Sequence, residues 1–207
     1  MIELRHVSIV SGLFCLRDLS LHLEPGEYVA LMGRTGQGKS TILEAIAGLR
    51  AVTAGQIFIA GKDVTEQPPA LRGVGYVPQD LALFPTMTVR ENLEFALRIR
   101  RSLNAKRIEE LAEWLGIATL LDRPVTQLSG GEAQRTALGR ALSFEPKVLL
   151  LDEPFSALDE GTREEMHRLM KSVREKTGVT VLHVTHSRSE AVALADRVLT
   201  VEDGVLG

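Results

Sequence analysis

Aromatic side chains are scarce: one Trp, two Tyr and six Phe make up 4% of the 207 residues. So few rings argue against a surface that binds by stacking, as single-strand nucleic-acid platforms do. Cysteine is rarer still. Cys15 stands alone, which excludes an internal disulfide and a thiolate metal cage, and the five histidines are scattered rather than spaced as ligands. Cys15 is expected to be a small core residue in a chain at home in a reducing cytosol. Neither sign of charge dominates: 24 Lys and Arg against 27 Asp and Glu leave a formal net charge of −3, so nucleic acid is not expected as a partner. Long apolar runs are missing too. None nears the ~20 residues that cross a bilayer, and the opening Met1-Ile2-Glu3-Leu4-Arg5-His6 has no basic segment leading an apolar one. A soluble protein is expected, one that meets a membrane only through a partner. What is abundant is core material and glycine: 44% hydrophobic residues and 18 Gly, enough for one folded domain rich in tight turns.

Residues 1–27 alternate apolar and polar, most clearly at Leu19, Leu21 and Leu23, and turn at Glu24-Pro25-Gly26-Glu27, the pattern of half-buried antiparallel strands. Tyr28 to Met32 reads as a strand buried on both faces, and Ile42, Leu43, Ile46 and Leu49 follow at helical spacing. From Gln79 to Leu142 the pattern is helical. Thr88-Val89-Arg90-Glu91 is a capping box opening a helix with Val89, Leu93, Ala96 and Leu97 on one face. A second helix carries Ile108, Leu111, Ala112 and Leu115 and stops at Gly116. Trp114 is expected to pack among these helices. Val148 to Leu151 and Val179 to Val184 then read as strands around a helix marked by Met166, Leu169, Met170 and Val173. Ser187 to Glu190 caps another helix, and Arg197 to Val205 forms a last strand turning at Asp203-Gly204. Strands alternating with helices make an α/β fold with a mostly parallel sheet and ligands at the carboxyl ends of its strands. The helical middle reads as an insertion: 1–78 and 143–207 are expected to form the core, 79–142 a helical subdomain.

The segment Gly33, Arg34, Thr35, Gly36, Gln37, Gly38, Lys39, Ser40, with Thr41 next in the helix, matches the P-loop pattern GxxxxGK[ST] between a strand and a helix. Its glycines let backbone N–H groups converge on phosphate oxygens, Lys39 reaches the β- and γ-phosphates, and the Ser40 hydroxyl can hold Mg²⁺. Gln37 is large for this loop and is expected to point outward. Val148 to Leu151 runs into Asp152 and Glu153; two carboxylates ending a buried strand suit Asp152 to ordering Mg²⁺ and Glu153 to polarising an attacking water, and a turn cap is the bland alternative. Ser129 and Glu132 have capping-box spacing, and Gly130 and Gly131 leave amides open to an anion, a second phosphate site on one chain.

With these segments in order, the chain resembles the nucleotide-binding subunits of ATP-binding cassette (ABC) transporters of importer type. The resemblance runs nearly end to end: Walker A loop Gly33 to Ser40, Q-loop Gln79, signature Leu128-Ser129-Gly130-Gly131-Glu132, Walker B strand with Glu153, D-loop Ser156-Ala157-Leu158-Asp159 and switch histidine His186. It implies a P-loop NTPase with a RecA-like core, an antiparallel β subdomain and a helical subdomain. It also implies ATP and Mg²⁺ as cofactors, with Gln79 on Mg²⁺ and His186 on the γ-phosphate. A second nucleotide-binding subunit would bind head to tail as a homodimer, so that Ser129, Gly130 and Gly131 contact ATP on the partner's loop and Asp159 lies at the interface. Transmembrane permease subunits are implied as partners, with an extracytoplasmic solute-binding protein, and the chain would sit on the cytoplasmic face of the membrane. Phe84-Pro85 resembles the surface that receives a permease helix, a plain turn being the other reading.

The family usually stacks adenine on an early ring; Ile9 to Leu13 has none, and Phe14 is the nearest candidate. The chain ends at Gly207, so the regulatory C-terminal domain of many relatives is not expected. The segments around Gln79 and His186 resemble importers, with a lean to an oxyanion such as molybdate or sulfate. An exporter subunit and a soluble ATPase for iron–sulfur assembly are the alternatives. A P-loop kinase or GTPase leaves the signature and His186 unexplained. His183, inside the same strand, reads as structural.

Overall fold

The computed structural model describes the backbone of residues 1–11, 14–202 and 205–206, with side chains for 1–10 and 15–202. The alternating start forms β1 (Ile2–Ser11) and β2 (Phe14–Leu23), paired antiparallel, with Leu16, Leu19, Leu21 and Leu23 buried. After the Glu24–Glu27 turn comes β3 (Tyr28–Gly33), whose first four residues are all buried, and then α1 (Lys39–Ala47). Gly48 ends α1 at φ 83°, so Leu49 falls outside the helix and is exposed, contrary to its helical spacing. Next come β4 (Ala54–Ile59), β5 (Lys62–Asp63) and β6 (Val74–Val77).

Three helices follow. α2 (Val89–Ile99) opens on the Thr88/Glu91 capping box, α3 (Ala105–Trp114) stops before Gly116 at φ 70°, and α4 (Gly130–Leu142) opens on the Ser129/Glu132 box. The chain closes with β7 (Val148–Asp152), α5 (Glu160–Thr177), β8 (Thr180–Val184), α6 (Arg188–Leu194), β9 (Arg197–Glu202) and β10 (Val205–Leu206). The turn expected at Asp203-Gly204 lies outside the described residues.

Two sheets result. One is antiparallel in the order β2-β1-β4-β5; the other runs β10-β9-β3-β8-β7-β6 and is parallel but for β10. The central strands are apolar on both faces because each face has its own core. Val148 and Leu150 join α1 and the antiparallel sheet, whereas Leu149 and Leu151 join α2, α3, α4 and α5. Charged groups are thereby confined to the strand ends. Trp114 packs against the core these helices share with α5, and it also donates its Nε1–H to Ser172 of α5 at 3.1 Å, under the Lys176 ammonium. One residue departs from expectation. Cys15 is only half-buried, and its sulfur accepts the Arg17 Nε–H at 3.4 Å.

α4 lies hard against the sheet edge. A Cβ on Gly75 of β6 would stand 2.6 Å from the Ala141 carbonyl oxygen, a backbone atom that cannot swing aside. Gly75→Ala is expected to destabilise the fold by about 1–3 kcal/mol, read as a lower urea midpoint at unchanged slope. An unchanged midpoint would show that α4 is not seated on β6 as described.

Candidate nucleotide site

β3 delivers the loop to the carboxyl edge of the parallel sheet. Gly33, Gly36 and Gly38 have φ of 149°, 85° and 87°, values at which a Cβ is disfavoured, and a Cβ on Gly33 would lie 2.7 Å from the Val201 carbonyl oxygen. Gly38 caps α1 without a side chain, so the first-turn amides are left to an anion. Lys39 is buried and its Nζ donates to the carbonyls of Gly33 (2.9 Å) and Arg34 (3.0 Å). The ammonium thus crosses the mouth of the loop. Gln37 does not point outward as expected: its Oε1 accepts the Arg34 N–H at 3.3 Å, occupying an amide the loop leaves unpaired.

Strand register brings the acidic pair to the same edge. Asp152 lies opposite Val184, and the Glu153 N–H donates to the Val184 carbonyl at 2.9 Å. The Ser40 hydroxyl donates to Asp152 Oδ1 at 3.1 Å, and burial together with the Asp152 charge holds the hydroxyl of Tyr76 of β6, a residue the motifs did not flag, above its ordinary pKa. Burial raises the Asp152 pKa, and the Ser40 hydrogen bond opposes the rise. Glu153 sits at φ 45°, costly for a residue with a Cβ, and Ser156 holds its carbonyl through both N–H (3.3 Å) and hydroxyl (2.9 Å). His186 Nδ1 lies 3.2 Å from Glu153 Oε2.

One cavity of about 360 Å³ gathers Thr35, Gly36, Lys39, Ser40, Gln79 and Glu153, with Gly38 and Thr41 on its wall. Gly33, Arg34, Gln37 and His186 line the adjoining cleft. Ser129, Gly130, Gly131 and Asp159 line neither. They meet elsewhere: Ser129 and Asp159 cap α4 and α5, and a Cβ on Gly131 would come 2.8 Å from Thr162 Cγ2. Oxygen donors from Ser40, Asp152 and Gln79 are the hard ligands Mg²⁺ prefers. Among the described residues no cluster of three His, Cys, Asp or Glu could cage a metal unaided. The donors therefore fit a cation that arrives on phosphate, as Mg²⁺ commonly does. Ile9 and Val10 bring no ring for adenine, and the side chain of Phe14, the nearest candidate, lies outside the described residues.

A glycine loop joining a parallel strand to a helix, with a lysine on the loop and a carboxylate at the end of the strand two places along the sheet, defines a P-loop NTPase. The ABC transporter family profile matches residues 16–156, and the chain belongs to that family. It is 47% identical over 196 residues to the molybdate/tungstate import ATP-binding protein WtpC of Thermococcus kodakarensis, covering 93% of this chain and 59% of that protein. To the sulfate/thiosulfate import ATP-binding protein CysA 2 of Agrobacterium fabrum it is 45% identical over 194 residues, covering 91% and 57%. It therefore spans less than two thirds of the length of these relatives. The dimeric post-hydrolysis structure of the ATP-binding cassette MJ0796, bound to ADP and Pi, superposes with a TM-score of 0.88 at 31% identity, covering 100% of this chain and 96% of that one.

His183 is wholly buried behind the site, its Nδ1 3.1 Å from the Tyr28 hydroxyl. The Glu190 carboxylate lies 3.7 Å from Nε2 and is engaged by the Thr185 hydroxyl at 2.6 Å. Burial pushes the imidazole down from 6.5 to about 3. The unfolded chain therefore takes up this proton near pH 6.5 and the folded chain does not until about pH 3. Its contribution to stability is complete above the unfolded value and lost as pH falls. Between about pH 7 and 5, wild-type stability is expected to drop at up to ~1.4 kcal/mol per pH unit from this group. His183→Gln should flatten that slope; equal slopes in urea titrations would contradict the assignment.

Proposed function

We propose that the chain is the ATP-hydrolysing subunit of an ABC importer, and that it works as a head-to-tail homodimer. The observation that carries this reading is the division of the phosphate-binding groups. One cavity holds Lys39, Ser40, Gln79 and Glu153, while Ser129 and Gly130, exposed, and Gly131, half-buried, stand at the start of α4, outside it. A chain with two separated half-sites is completed by a second copy, each owning half of each site. Asp159, exposed at the start of α5, belongs to the same contact.

In the closed dimer the amides of Gly38 to Thr41 and the Lys39 ammonium bind the phosphates, with Gly33 to Gln37 shaping the loop around them. Ser40, Asp152 and Gln79 would hold Mg²⁺, which would supply neutralising charge to the phosphates. Glu153 orients a water and accepts its proton as the water oxygen attacks the γ-phosphorus. The bond from that phosphorus to the bridging oxygen breaks, leaving ADP and phosphate. His186, 3.2 Å from Glu153, steadies the γ-phosphate and the base together. Residues 1–78 and 143–207 act as the core and 79–142 as the part that moves.

The molybdate/tungstate and sulfate/thiosulfate relatives support an oxyanion as cargo. Selectivity for it resides in permease subunits, with a solute-binding protein outside the membrane. Among the described residues no helix is long and apolar enough to cross a membrane, so the chain would attach to the cytoplasmic face through the permease.

Glu153→Gln is expected to bind ATP normally, to accumulate as an ATP-bound dimer, and to lose turnover by about 10²-fold or more. Wild-type turnover in that variant would remove Glu153 as the base. Recovery of the native chain with a polytopic membrane protein supports transport, whereas a stable complex with soluble partners alone would point to the assembly ATPase.

A further inference from the structure

We infer that Arg140 is a positioning residue for Gln79, and that α4 moves the signature glycines and the Gln79 loop as one body. The inference rests on Gln79 serving the Mg²⁺–nucleotide site as proposed above. Gln79 sits in a tight turn whose ends meet through the Leu81 N–H on the Pro78 carbonyl at 3.0 Å. Leu81, which closes that turn, and Ala82 after it are both left-handed, at φ 61° and 44°. Side-chain-bearing residues hold that conformation in succession only where their surroundings enforce it.

Arg140 is that surrounding. From the last turn of α4 its Nη2 donates to the Leu81 carbonyl at 2.8 Å and its Nη1 to the Ala82 carbonyl. A planar guanidinium fork matches two successive carbonyls, and an ammonium does not. The guanidinium also lies 5.3 Å over the Phe84 ring, which packs on Phe95 of α2 with centroids 4.3 Å apart. Asn92, wholly buried on α2, accepts the Phe84 N–H at 3.0 Å and donates back to the Phe84 carbonyl at 3.3 Å.

The loop is therefore strand-borne on one side of Gln79 and helix-borne on the other. Val77 ends β6, and by Leu81 the chain is fastened to α4. Gly130 and Arg140 are ten residues apart on one continuous helix, about 15 Å at the α-helical rise. A displacement imposed at exposed Ser129 and Gly130, where the partner's nucleotide is expected to press, reaches Gln79 through that helix.

The test is a double-mutant cycle read as the gain in affinity for a fluorescent ATP analogue on adding Mg²⁺, in the full chain, with amide hydrogen exchange over residues 80–84 alongside. Arg140→Met is expected to cut the Mg²⁺-dependent gain by about tenfold, as loss of an outer-shell partner does, with Mg²⁺-free binding unchanged and exchange over 80–84 faster. Arg140→Lys, which keeps the charge without the fork, should fall between, and it carries the test if the Met variant does not fold. Neither substitution should add to Gln79→Ala. A full additional loss in the Gln79→Ala background, or no loss from Arg140 alone while Gln79→Ala has one, overturns the role of Arg140. If Gln79→Ala itself leaves the Mg²⁺ gain unchanged, the Gln79 assignment falls, and the inference with it.

Discussion

Strands buried on both faces can carry charged groups cheaply only at their ends. β3, β7 and β8 obey that constraint, with His183 inside β8 held neutral by burial, and much of the site follows from it. Tyr28 to Leu31, Val148 to Asp152 and Thr180 to Val184 are buried throughout, sandwiched between α1 with the antiparallel sheet on one side and α2 to α5 on the other. Ionisable residues therefore collect at the carboxyl edge, where Lys39, Asp152, Glu153 and His186 lie on adjacent connections rather than in neighbouring sequence. Parallel register brings them together: Leu31 pairs with Val184 and Val184 with Asp152, so three strands end level.

The proposed chemistry uses that edge as half of a site. A triphosphate carries more negative charge than one glycine loop neutralises, and an opposing set of amides from a second chain shares the load only while the γ-phosphate is attached. Ser129 and Asp159 suit this because both are helix caps with their polar atoms already satisfied, by Glu132 and Thr162. Capping fixes the helix starts without using the amides of Gly130 and Gly131 for the cap itself. Binding energy can then draw two chains together, and hydrolysis can release them.

Local rules written into neighbouring residues were legible in the sequence. The P-loop, both capping boxes, the buried strands and the helix stop at Gly116 each depend on a few adjacent side chains, and each lies where its pattern indicates. Contacts made across the fold were not. Trp114 packs on the helical core but also reaches Ser172 of α5, and Tyr76 meets Asp152 through strand order that no local pattern encodes. Gln37 folds back because one amide of its own loop lacks a partner, a detail visible only in three dimensions. Leu49 shared helical spacing but follows a glycine that ends the helix. Arg140 resembles any exposed arginine until the carbonyls of Leu81 and Ala82 are seen beneath it.

The central claim is that nucleotide is held between two chains, and mixing two defective ones tests it most directly. In a Glu153→Gln background, Lys39→Ala removes the P-loop half and Ser129→Arg the signature half. Neither variant alone retains an intact composite site, but a mixed dimer keeps one. The account predicts no occluded ATP in either preparation alone and about one ATP per mixed dimer after combination. Occlusion by the Ser129→Arg chain alone, or none in the mixture, would contradict it.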